Sequence, residues 1–245
     1  MKNIFSPKNL PWATLAAGII GLLLRFWLLN SGTDEKGFLM PGHIADILVW
    51  VLTAIVVVTV LLCTRRLQQA AKYQFNFPKS AIGTIGCVLG AVGIAITSVA
   101  ELASYDDTLA LICAVMGLVG AVSLGYLGYC RQRGEHPNIL CHTFVCLFLM
   151  VRLINQYRHW SSDPQLQDYC FQLLATVCLM LAAYHRATFD ANIGKRRPHA
   201  IYHLCAVYFC CLSLTEVGSM AFYLGTGIWM LTDLCSLTPM PTEEN

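Results

Sequence analysis

"HTFVCLFLMV" (142–151), "RLINQYRHWSSDPQLQDY" (152–169) and "CFQLLATVCLMLAA" (170–183) follow one another directly. Two apolar runs meet at a joint that carries Arg, His, Asp, Gln and Asn. Each run belongs to a longer stretch of about 20 residues, the length at which a helix crosses the hydrocarbon core of a bilayer. A lipid-exposed strand leaves its backbone unpaired unless it closes a barrel, and these runs are too long and too uniformly apolar for barrel strands. The segment therefore reads as two membrane helices joined by a polar turn.

The same test predicts seven spans, approximately 10–30, 43–63, 81–101, 108–129, 139–155, 164–185 and 200–230. The expectation is an all-α, polytopic seven-helix membrane protein whose 245 residues form a single transmembrane domain. Composition agrees: 56% of the chain is hydrophobic and 12% charged, against about 25% charged in soluble domains. A net charge of +2 offers no general basic field for nucleic acid. Of the twelve cysteines, Cys63, Cys87, Cys113, Cys146, Cys178, Cys205, Cys210 and Cys211 lie inside apolar runs, and no C-x-x-C pair occurs. They read as small polarizable hydrophobes rather than disulfide or zinc frameworks. Glycine-rich stretches also lie within spans, so they offer no phosphate-binding loop.

Basic residues near span ends set orientation. Lys2 and Lys8, then Arg65, Arg66, Lys72 and Lys79, then Arg131 and Arg133, then Arg186, Lys195, Arg196 and Arg197 occupy alternate connections. The other set is poor in Lys and Arg, and the tail "SLTPMPTEEN" has none. Through seven spans this bias predicts a cytoplasmic N-terminus and an extracytoplasmic C-terminus, in the plasma membrane. Gly83, Gly86, Gly90 and Gly93, then Gly117, Gly120, Gly125 and Gly128, and the pair Ala17 and Gly21, are expected to let helices approach closely within the bundle.

Ionisable groups within spans are costly, by about 2.5–3.5 kcal/mol on translocon scales, so they face the bundle or water. In the predicted orientation Arg25, Asp46, Glu101, Arg152, Asp168 and Glu216 all fall toward the outer side. Residues three, four and seven apart share a helical face. That rule groups Arg152, Asn155 and Gln156; Asp168 and Gln172; Asp46 and Trp50; and Glu216 and Tyr223. These eleven residues are the expected lining of an outward-facing vestibule. Asp163 and Pro164 suit the N-cap and first residue of the sixth span. Taken singly, the same residues also suit helix ends, snorkelling side chains, aromatic belts or structural ion pairs. Glu216 stands out because it lies deepest, has no basic neighbour in sequence and precedes Gly218, Gly225 and Gly227.

At the other face His185, His199 and His203 gather, the last two as H-x-x-x-H. His at i and i+4 share a helical face and can share a metal, so zinc is the alternative cofactor. Seven spans, an inside N-terminus and this spacing resemble the adiponectin-receptor and haemolysin III family of membrane hydrolases. The second-span Ser-x-x-x-His that family needs is missing, because His43 lies at the wrong end, and no family is assigned. The leading expectation is a non-enzymatic protein without a cofactor that binds a small polar solute or ion, for transport or sensing. The alternatives are a metal-dependent membrane hydrolase and a non-catalytic subunit docked on a membrane-protein partner. The bilayer is a partner in each, and nucleic acid in none.

Overall fold

The computed structural model describes residues 9–32, 42–67, 71–105, 107–160 and 169–237. The helices are α1 (Leu10–Ser31), α2 (Ile44–Cys63), the one-turn α3 (Tyr73–Asn76), α4 (Ala81–Ala103), α5 (Thr108–Arg133), α6 (Ile139–Trp160), α7 (Cys170–Asp190), α8 (Arg196–Leu212) and α9 (Met220–Cys235). No strand occurs among the described residues. Seven helices are long and apolar enough to cross a membrane, as expected of a multi-pass membrane protein: α1, α2, α4, α5, α6, α7 and Arg196–Thr215. The outward faces are apolar in the way lipid requires. On α2 alone, Ile44, Ile47, Leu48, Val51, Ile55, Val58, Leu61 and Leu62 are exposed.

Short polar residues fix the helix starts by accepting from the first free amides. Asp107 accepts from Ala110 at 2.7 Å and opens α5. Ser80 accepts from Gly83 at 3.2 Å and opens α4. Gly134, at φ +74°, closes α5 in the left-handed conformation that favours glycine. The expected cap and first residue of the sixth span, Asp163 and Pro164, lie outside the described residues.

The last expected span, 200–230, is corrected. The chain leaves α8 through a 3-10 turn at Ser213–Thr215, passes Glu216 in extended backbone (φ −99°, ψ 116°), makes a second 3-10 turn at Val217–Ser219 and returns as α9. The two helices pair antiparallel, with Cys210 beside Thr226 at one level and His203 beside Asp233 further down. A single helix over 200–230 would be about 46 Å long, well beyond the roughly 30 Å it has to cross.

This return moves the C-terminal end of the fold. Arg25 on α1 lies over Phe171 at 5.0 Å, and Trp27 meets His43 at 6.0 Å, so the end of α1 sits with the starts of α7 and α2. The opposite end of α7, with Arg186, contacts Asp233 at the end of α9. The start of α1 and the end of α9 therefore share one end of the bundle, where an odd number of crossings would separate them. We call this the basic end, because the Arg-rich connections lie there, and the other the far end.

Glycines set how closely α9 approaches. A Cβ on Gly93 would stand 2.5 Å from the Ala221 carbonyl oxygen, and one on Gly225 would stand 2.7 Å from the Leu89 oxygen. On the other flank Gly18 and Gly21 admit Cys211 and Leu212 against α1. The same contacts give depth. Leu212 lies level with Gly21, and α1 continues ten residues to Ser31, about 15 Å at 1.5 Å per residue. Ala221 lies level with Gly93, again about 15 Å of helix short of the end of α4. The turn between α8 and α9 is thus recessed beneath the far ends of α1 and α4, at the level of the first turn of α7.

Candidate functional site

Two polar layers occupy opposite ends of the bundle. The far layer is built on the recessed turn. Gln172 of α7 donates to Glu216, and Ser219 donates to the same carboxylate oxygen at 3.4 Å. A row continues inward from there. Tyr223 donates to the Gln172 carbonyl at 3.4 Å, Gln156 donates to the Tyr223 hydroxyl at 3.1 Å, and Thr176 donates to the Gln156 amide oxygen at 2.9 Å. Beside this row Arg152 pairs with Glu101 at 2.7 Å and lies 4.1 Å over the ring of Phe222. Arg152 Nε, Glu101 Oε2 and Gln172 Oε1 are buried without a hydrogen-bond partner among the described residues. At the rim Glu101, Asp107, Asn155, Arg158 and His159 line a shallow hollow of about 410 Å³ between α4, α5 and α6.

The expected vestibule residues distribute accordingly. Glu101, Arg152, Gln156, Gln172, Glu216 and Tyr223 come together, and Asn155 faces the hollow. Arg25 and Trp50 meet at Phe171, each 5.0 Å from its ring, on the α1–α2 side. Asp46 lies half-buried in the first turn of α2 and makes no ion pair among the described residues. Asp168 lies outside them.

The layer at the basic end centres on Asp233, which is 4% exposed. Its Oδ1 meets Arg186 Nε at 3.4 Å and Arg131 at 3.9 Å. Its Oδ2 meets His203 Nε2 at 3.3 Å and His199 Nε2 at 3.4 Å. Arg186 reaches Asp190 at 3.4 Å, and His142 donates to the other oxygen of Asp190 at 2.5 Å. The connection after α2 folds back to close this end. Phe77 stacks beneath Arg186 at 3.5 Å and Arg131 at 4.7 Å, while Asn76 accepts from Arg196.

The expected His triplet is only partly assembled. His199 and His203 are fully buried with ring centres 3.8 Å apart, but His185 is half-buried and stacks on Tyr202 at 5.1 Å. Asp233 takes the third place, its oxygen lying within 4.8 Å of the two ring nitrogens. Asp233 fell beyond the last expected span, and Arg131 and Arg186 read as orientation signals. What pointed to Asp233 is a single acidic residue inside "GIWMLTDLC", a run otherwise suited to a membrane helix.

No family model matches the chain, and no curated protein and no solved structure matches it either.

Proposed function

We propose that this multi-pass membrane protein binds a small polar solute or ion in the far layer, for transport or sensing, with Glu216 as the central group. The observation that supports this reading is the recessed break between α8 and α9, with a carboxylate at its centre. Non-helical backbone at membrane depth is tolerated where protein buries it or a wet cavity reaches it, and a charge there marks a functional position by default. The break leaves the free carbonyls that end α8 beside the carboxylate, and these favour a cation. Arg152 with Glu101, one helix away, supplies charge of both signs. That combination suits a zwitterion or a proton-coupled solute.

Glu216→Gln tests this reading. In wild-type protein one class from a panel of amino acids and small amines is expected to raise the unfolding temperature. The variant keeps the fold and loses the shift. A variant that responds as wild type does contradicts the reading.

A further inference from the structure

We infer that His199, His203 and Asp233 form a binding site for a divalent transition metal of the zinc class at the basic end of the bundle. The inference rests on residues separate from the far layer and does not depend on the reading of Glu216.

The hydrogen bonds of His203 fix its tautomer. Its Nδ1 lies 2.8 Å from the His199 carbonyl, which can only accept, so Nδ1 carries the proton. In the neutral ring Nε2 then presents a lone pair, and it lies 3.3 Å from Asp233 Oδ2, another acceptor. Among the described residues His199 makes no hydrogen bond through either ring nitrogen, yet its Nε2 lies 3.4 Å from the same Oδ2. With the His199 proton on Nδ1, three acceptor atoms converge in a place with 0% exposure at both histidines. An ion accepting all three lone pairs removes the conflict.

The distances favour that arrangement. A charge-assisted N–H···O⁻ bond is about 2.7–2.9 Å long. With metal–N and metal–O bonds of about 2.0–2.2 Å, the edge of a tetrahedron is about 3.3–3.5 Å. The separations from Oδ2 are 3.3 Å to His203 and 3.4 Å to His199, which match the tetrahedral edge. The surroundings resemble the outer support that metal sites need. The His203 Nδ1–H is anchored on a backbone carbonyl, and Arg131 and Arg186 hold Oδ1, leaving Oδ2 to the histidines. Two imidazoles and one carboxylate suit zinc or cobalt rather than magnesium or calcium. Since Asp190 and Asp233 balance Arg131 and Arg186, the added charge calls for an anionic fourth ligand such as hydroxide.

Metal analysis of the purified full-length protein, after zinc loading and washing, decides the matter. About one zinc per chain is expected in wild type and in His185→Ala. Retained zinc falls to background in His199→Ala and His203→Gln preparations that still elute as single species. A chelator should lower the unfolding temperature of wild type and leave that of His203→Gln unchanged. Because a variant can fail to fold, cobalt loading of wild type alone gives an independent readout: visible d–d bands of tetrahedral intensity support the site. Wild type that retains no zinc and shows no such bands, or folded variants that retain zinc as wild type does, overturns it. In that event the cluster is an ion-paired lock between α5, α7, α8 and α9.

Discussion

Gly93→Leu is expected to break the packing of α4 on α9 and to cost about 3 kcal/mol or more. The added side chain has nowhere to go. Its first carbon already meets the Ala221 carbonyl oxygen at 2.5 Å and the Gly225 Cα at 3.1 Å, and both are backbone atoms that cannot rotate away. In a bilayer, helix association draws on close contact rather than on hydrophobic burial, so forcing the axes apart removes the main source of cohesion. Gly125→Leu provides the control. Nothing stands within 4 Å of its Cβ position, and its change should stay within about 0.5 kcal/mol. Unfolding temperatures of the two variants in one detergent measure the difference. Equal stability would mean that α9 does not cross α4 at these glycines.

Asp233→Ala should be comparably damaging, by about 3–5 kcal/mol, because removing one partner of a buried pair leaves the other charge uncompensated. Arg131 suffers most. Asp233 is its one carboxylate partner among the described residues, whereas Arg186 keeps Asp190. Arg131→Met in the Asp233→Ala background should therefore restore part of the lost stability, and a double-mutant cycle reads the coupling. The exposed pair Arg133–Glu135, whose side chains are 59% and 57% accessible, should show almost none. If Asp233→Ala were neutral, the guanidiniums would not depend on it.

How much of this was legible in the sequence follows from which signals are local. Six spans could be placed to within a few residues at most described ends, because hydrocarbon thickness imposes their length on composition. Some helices run further than expected: α5 reaches Arg133 and α6 reaches Trp160, since a helix can continue into the headgroup region with polar side chains. The close approaches of Gly86, Gly90 and Gly93 were likewise legible, because small residues at that spacing have few other uses. The reversal inside the expected seventh span is weakly signalled, because "SLTEVGS" (213–219) carries only weak breakers between two apolar halves. Its excess length was the available warning. The same return sets the end of α9 at the end of the bundle where α1 begins.

The layers illustrate the same limit. The sequence predicts only that Glu101, Arg152, Gln172 and Glu216 lie toward one side, because each sits on a readable face of its own helix; the pairing of Arg152 with Glu101 and of Gln172 with Glu216 comes from the structure. Asp46 carries the same periodic signal but lies on α2, which packs chiefly on α1 at the edge of the bundle. The cluster around Asp233 joins residues up to 102 positions apart, from Arg131 to Asp233, and depends on α9 folding back. No local pattern specifies that return.

Both proposed sites depend on this reversal: it recesses Glu216 and brings Asp233 to His199 and His203. Compartment-specific reporters fused before Met1 and after Asn245 test it most directly. Both reporters should register the same side of the membrane. Signals from opposite sides would mean that the stretch after His199 crosses only once, and would contradict the hairpin and the two sites built on it.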